Sequence, residues 1–270
     1  MHLLRMKENS LEMYEAVCYK NSYLDQVIIR TDFMEYIPTE KIHNDEIEKV
    51  IQGFFPRKGK SQAIKHNAIN FTVDMNNPQK ANAQSNVLEG LQKEFFSNNQ
   101  KNKVIISNLF LIFEIHEYIS FEDINKSIKA IVQAVFSECK PTVVRTGIRY
   151  INLYNSGEIK LKKKFFSPEI AACLLTKFDK NTSPIMTRSM HLAEYRINNM
   201  LLNFRYGMFN PNYPGPIRDN SFSLDYDCFS NDAFSSSDDV LEVISNSHNA
   251  IQELFEASIT DQLRKEMNGE

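Results

Sequence analysis

Residues 141–154 read Pro-Thr-Val-Val-Arg-Thr-Gly-Ile-Arg-Tyr-Ile-Asn-Leu-Tyr, and they sit at the midpoint of the chain. A proline opens the stretch and β-branched and aromatic residues fill it, which specifies one long strand. Side chains alternate along a strand. Arg145, Gly147, Arg149, Ile151 and Leu153 therefore share one face, and Val144, Thr146, Ile148, Tyr150, Asn152 and Tyr154 share the other. Two guanidinium groups on either side of a glycine leave room for something planar or anionic to lie flat between them.

A chain of 270 residues can bury one large core or two small ones. Its 42% hydrophobic and 24% charged residues place it with folded globular chains rather than disordered ones. The net charge of −3 argues against a protein built mainly to neutralise a phosphate backbone, so local basic patches would have to do that work. Cys18, Cys139, Cys173 and Cys228 are far apart, with no C-x-x-C pair. That spacing suggests neither a zinc site nor a disulfide framework, and it points to a reducing cytoplasm. Residues 1–13 lack the apolar core of a signal peptide, and no run approaches the roughly 20 apolar residues of a membrane helix. The expectation is a cytoplasmic chain with no membrane segment and no cofactor.

The first half predicts a lead-in over 1–22, a strand over 23–36 and an amphipathic helix over 40–54. A basic loop over 56–65 carries Arg57, Lys58, Lys60 and Lys65. A strand at 68–75 alternates Ile69, Phe71, Val73 and Met75 with Asn70, Thr72 and Asp74. A polar loop over 76–86, a short helix over 86–96 and strands at 103–107 and 109–118 follow. Ser120 then caps a helix whose apolar stripe is Phe121, Ile124, Ile128, Ile131, Val132 and Val135.

After the central strand comes a basic connector at 160–164, then a helix over 168–177 opened by Ser167-Pro168. A loop spans 179–184. Strands at 185–198 and 199–209 form a hairpin turning near Asn198-Asn199. A proline-rich connection at 210–220 leads to a strand at 221–229. There Phe222, Leu224, Tyr226 and Cys228 face one way and Ser223, Asp225 and Asp227 the other. One long last helix follows, with Val240, Leu241, Ile244, His248, Ile251, Leu254, Phe255, Ile259 and Leu263 on its buried side. Its simplest role is to cover the sheet.

This order predicts an α+β fold of antiparallel sheets packed on helices. The halves 23–140 and 141–270 run through similar elements, and Ile29-Arg30 aligns with Ile148-Arg149. That suggests an internal duplication of a strand-rich unit ending in a long helix, with both halves in one compact domain. A βαβ nucleotide-binding sheet is disfavoured.

The candidate anion- or partner-binding residues are Arg145, Gly147, Arg149, Arg188 and Arg196. Their competing role is cross-strand pairing to Asp225, Asp227, Glu194 or Glu114. Arg188, Glu194 and Arg196 share one face of their strand, with His191 and Tyr195 on the other. His191 is of the residue type most used as a general base, but a lone strand histidine is more often structural. Asp225 and Asp227 are the candidate metal ligands, against the commoner case of solvated strand aspartates. A nucleic-acid path would use Lys58, Lys60, Lys162, Lys163 and Lys164, with Phe71, Phe165 and Phe166 as stacking platforms. The chain has no G-x-S-x-G, H-E-x-x-H, phosphate-loop or dinucleotide motif, and no catalytic residue is assigned.

The run Arg145-Thr-Gly147-Ile-Arg149-Tyr150-Ile-Asn152 resembles the R-x-G-x-R-Y-I-N hallmark of a sporadically distributed bacterial family of uncharacterised proteins. The N-terminal strand, the strand pair before a capped helix and the long C-terminal helix resemble that family too. The resemblance transfers no activity or cofactor. Its patchy distribution implies traffic with mobile elements, and so an anti-phage defence or toxin–antitoxin setting. The first expectation is a non-enzymatic binding or assembly subunit whose protein partner is an operon neighbour. The alternatives are a metal-dependent enzyme acting on nucleotides or nucleic acids, and a sensor of a small anionic ligand.

Overall fold

The computed structural model describes residues 18–73, 81–154, 164–172, 186–210, 212–217 and 221–270, with side chains except at 66–73, 81–86 and 88. The central strand is β6 (Val143–Tyr154), and it lies in the middle of a nine-stranded antiparallel sheet. The other strands are β1 (Leu24–Phe33), β2 (Arg57–Val73), β3 (Ala81–Phe96), β4 (Asn102–Ser107), β5 (Phe110–Ile115), β7 (Ser189–Ile197), β8 (Met200–Met208) and β9 (Phe222–Ser230). Across the sheet they run β2-β3-β4-β5-β1-β6-β9-β8-β7. β1 and β6 are thus neighbours, with Ile29 opposite Ile148. Outward from each comes the last strand before the long helix of its half, β5 on one side and β9 on the other.

The expected helix over 40–54 is split into α1 (Thr39–Ile42) and α2 (Asp45–Phe54), because Asn44 starts a new helix by accepting from the Ile47 amide. α3 (Phe121–Cys139) begins as its sequence predicts, with the Ser120 hydroxyl accepting from the Asp123 amide. Its apolar stripe is buried, and each fully buried large side chain contributes roughly 1.5–3 kcal/mol. α4 (Pro168–Ala171) starts behind Ser167. The rest of the helix expected over 168–177, the 179–184 loop and most of the basic connector, with Lys162 and Lys163, lie outside the described residues.

The last helix differs from expectation. α5 (Ser237–Ser258) stops where Ile259 takes an extended conformation and bridges to Phe166, and α6 (Asp261–Asn268) restarts after Thr260. The apolar stripe carries through the break, with Leu263 and Met267 buried, so periodicity alone does not reveal it. α5 lies on β6, β9 and β8 and touches α3. The two long helices cover one sheet face, onto which Val27, Ile29, Phe113, Ile148, Tyr150, Tyr154, Leu202, Phe204, Leu224 and Tyr226 point as the core.

The segments expected as a basic loop at 56–65 and a short helix at 86–96 are both strands. β2 and β3 pair from Arg57↔Phe96 out to Val73↔Ala81, whereas β3 pairs with β4 only from Gln92↔Ser107 to Phe96↔Lys103. Past that point β2 and β3 form a two-stranded ribbon leaving the sheet. Its root is gripped by side chains. Asn108 accepts from the Leu91 amide, His43 bonds the Leu91 carbonyl and Tyr36 donates to the Glu89 carbonyl. Gly90 is required there, because a side-chain carbon would run into Asn108 Oδ1.

Candidate functional site

The sheet face opposite the helices carries the charged residues of the central strands. On β6, Arg149 forks onto Asp225 of β9, with Nε to Oδ1 and Nη2 to Oδ2 both 2.7 Å. Arg205 of β8 approaches the same carboxylate at 3.5 Å. Arg145 reaches Asp227 at 3.5 Å and Asp32 of β1 at 4.0 Å, and Arg30 bonds Asp32 at 2.8 Å. The charges form a lattice from β1 to β8 in which each arginine named has a carboxylate within reach. Arg145, Arg149 and Arg205 pair across strands, and Arg30 pairs along its own strand.

The glycine of the motif has a specific role. Gly147 pairs with Phe229, and a side-chain carbon at 147 would collide with Phe229 and with the Cys228 carbonyl. The Phe229 ring lies under the Arg145 guanidinium, 4.2 Å from ring centroid to Cζ. The planar group accommodated beside Arg145 and Gly147 is therefore the chain's own phenylalanine. Asp225 is 7% exposed, and its partner Arg149 is held above its ordinary pKa by their hydrogen bonds. Burial pushes the Asp227 carboxyl above its usual range despite Arg145 and Arg149 nearby.

Other sequence candidates are dispersed. Arg188 precedes β7 and stacks on Tyr213 at 4.2 Å rather than joining a strand face. Arg196 is exposed on β7, which is the outermost strand at that end. His191 is exposed and stacks on Tyr206 at 5.1 Å, away from the lattice. Phe165 and Phe166 are 4% and 1% exposed, so they pack in the core and are not stacking platforms. Lys58 pairs with Glu48 at 3.2 Å, while Lys60 and Lys164 are exposed. Among the described residues no group of three or more potential metal ligands is gathered.

A second feature lies under the helices and was not anticipated. A pocket of about 100 Å³ opens between the covered face of β6 and β9, the start of α3, the middle of α5 and residues 18–24. Tyr150 and Asn152 of β6 line it, with Tyr118, Phe121, Tyr226, His248 and Phe255. The Tyr150 hydroxyl is 2.9 Å from His248 Nδ1 and 3.5 Å from the Tyr118 hydroxyl. Phe121 stacks on the His248 ring at 4.1 Å. Burial lowers the His248 pKa to about 4, so its imidazole is neutral near pH 7. Tyr226 is fully buried, and its hydroxyl, which has no accessible surface, makes no well-formed hydrogen bond although the Ser258 hydroxyl lies beside it. An unpaired buried hydroxyl costs about 1–3 kcal/mol.

No known family model, curated protein or solved structure matches the chain.

The sequence held one signal for the pocket. The core-facing side of the central strand alternates Ile148 with Tyr150, Asn152 and Tyr154, so polar atoms point into the helix layer. His248 was the one titratable side chain in the stripe of the last helix. The two are 98 residues apart, and only the fold joins them.

Proposed function

We propose that the chain is a non-enzymatic binding or assembly subunit, and that the β2–β3 ribbon meets its protein partner. The ribbon carries this reading. Beyond Lys65↔Glu89 its strands pair, among the described residues, only with each other, as far as Val73↔Ala81. That is roughly 25 Å of ladder at about 3.3 Å per residue. A lone two-stranded ribbon is marginal in water and needs a further strand or a surface beneath it. The part of the apolar–polar sequence alternation at 69–73 falls on this outer stretch, and it is the pattern of a strand that covers something with one face. Both outer edges also offer unpaired backbone groups to an incoming strand.

The open sheet face supplies a second contact area. Ile28, Ile112, Ile151 and Phe229 are half-buried among the charge pairs there, an arrangement that suits a protein surface. A metal-dependent enzyme built on Asp225 and Asp227 is less well supported, because Arg149 and Arg205 already occupy the Asp225 carboxylate. The bacterial defence or toxin–antitoxin setting rests on the resemblance of the Arg145–Asn152 motif alone. The duplication stays part of the same proposal, supported by the side-by-side β1 and β6 and by the matching order of strands outward from them. Among the described residues no helix is long and apolar enough to cross a membrane.

The reading is tested by affinity purification from the native host, with the solution mass measured by light scattering. A stoichiometric complex, with another protein or a second copy, is expected. A bare monomer would count against it.

A further inference from the structure

We propose that the pocket beneath α5 binds a small uncharged aromatic or heteroaromatic molecule, one ring or a fused pair, with a polar edge. Three observations point to that class. The first is size and lining. About 100 Å³ suits a single small ring system, and Tyr118, Phe121, Tyr150, Tyr226 and Phe255 supply flat apolar walls. The second is charge. The lining holds no lysine or arginine, and its carboxylates belong to Glu122 and Glu256. Glu256 is already held by the Tyr19 hydroxyl at 2.7 Å and by Arg264 at 2.8 Å, and Glu122 is exposed at the rim. An anion would meet the Glu122 carboxylate at the rim and no lysine or arginine in the lining, since Arg264 is taken up by Glu256, so this site does not suit the small anionic ligand expected from the sequence.

The third observation is polarity without a partner. Asn152 is 5% exposed and lines the pocket, and its carboxamide makes no hydrogen bond among the described residues. The Tyr118–Tyr150–His248 chain sets further hydroxyl and imidazole groups along the same wall. A purely apolar guest would leave the Asn152 carboxamide bare, whereas a ring bearing a hydroxyl or ring N–H can bond it. Ser22 and Glu122 of the lining are both exposed, so the site is reached from solvent.

The chain contains no tryptophan, so added indole is itself the probe. Indole is titrated with the full chain and excited at the red edge of its absorption, where tyrosine is silent. The expected result is a saturable blue shift of indole emission, reversed by phenol and not by benzoate. The ring signals of Phe121 and His248 should shift in the same titration, followed by NMR. Gln252→Phe, which fills the pocket from α5, should weaken indole at least tenfold. Should that variant misfold, Ser22→Phe at the exposed rim serves the same purpose. Indole emission unchanged from water, binding that ignores both substitutions, or displacement by benzoate as effective as by phenol would each overturn the proposal. None of these outcomes depends on a protein partner, so the test stands apart from that of the ribbon.

Discussion

Arg149 lies directly opposite Asp227 in the β6–β9 ladder, yet its guanidinium forks onto Asp225, two residues away along β9. The diagonal leaves Asp227 to Arg145, which reaches it from the other side of Gly147. Two arginines and two aspartates thus interlock across the strand pair, with Phe229 lying over the glycine. Removing Arg149 leaves the Asp225 carboxylate, 7% exposed, with only the longer contact to Arg205 at 3.5 Å. Arg149→Ala should therefore destabilise the fold by about 2–3 kcal/mol in urea unfolding, somewhat below the range for a fully buried pair because the arginine is half-exposed. Arg149→Lys keeps the charge and loses the fork, and should cost about 1 kcal/mol. The double change Arg149→Leu with Asp225→Leu should cost less than Arg149→Ala alone. If the costs of the two single changes simply add, the pair is not coupled.

Gly147 is held by close approach and not by backbone conformation. Gly147→Ala should destabilise by about 2–3 kcal/mol, since the colliding atoms include the backbone of Cys228 and Phe229, which cannot swing aside. Gly53 has open space where a side chain would go, so Gly53→Ala in α2 is the matched control. It should be neutral or stabilising by up to about 1 kcal/mol. Thermal unfolding of the two variants separates packing at 147 from a general effect of losing a glycine.

His248 makes stability depend on pH with a definite sign. Its pKa is about 4 in the fold, against the ordinary 6.5 of the unfolded chain, because burial disfavours the imidazolium. Glu122 opposes the shift without cancelling it. A depressed folded pKa means that the contribution is complete above 6.5 and falls away as pH drops toward 4, by about 3 kcal/mol in all. Urea midpoints from pH 7 to pH 4 should fall for the native chain. The fall should be shallower in His248→Gln, and an equal fall in both would show that the stability change comes from other groups.

The sequence was most legible where burial is one-sided. The two faces of β6, the alternation of Phe222, Leu224, Tyr226 and Cys228 in β9, the Ser120 cap and the turn at Asn198 with φ of +53° all follow from local pattern. β2 was illegible for the opposite reason. Arg57 to Ala63 is exposed on both sides, so no apolar alternation marks it as a strand. In β3, Val87, Leu88, Leu91 and Phe95 recur at spacings that also suit a helix, and only pairing with β2 decides between them. The ion-pair lattice was half-visible. The arginines and aspartates were evident, but which carboxylate each arginine takes depends on register. The pocket was hidden because its walls come from residues 18–24, the start of α3, β6, β9 and α5, which the chain brings together only when folded.

The ribbon is where the functional reading is most exposed to failure. In a shortened chain, an Asn-Gly turn joins Lys65 directly to Glu89, a pair that already faces across the ladder. The root contacts of Tyr36, His43 and Asn108 to residues 89–91 are kept. The decisive measurement is the solution mass of the full and shortened chains, each purified from the native host under one protocol. The full chain should emerge as a stoichiometric complex and the shortened chain as a folded monomer with an unchanged unfolding midpoint. A full chain that is itself a bare monomer, or a shortened chain that keeps its partner, would contradict an assembly role for the ribbon.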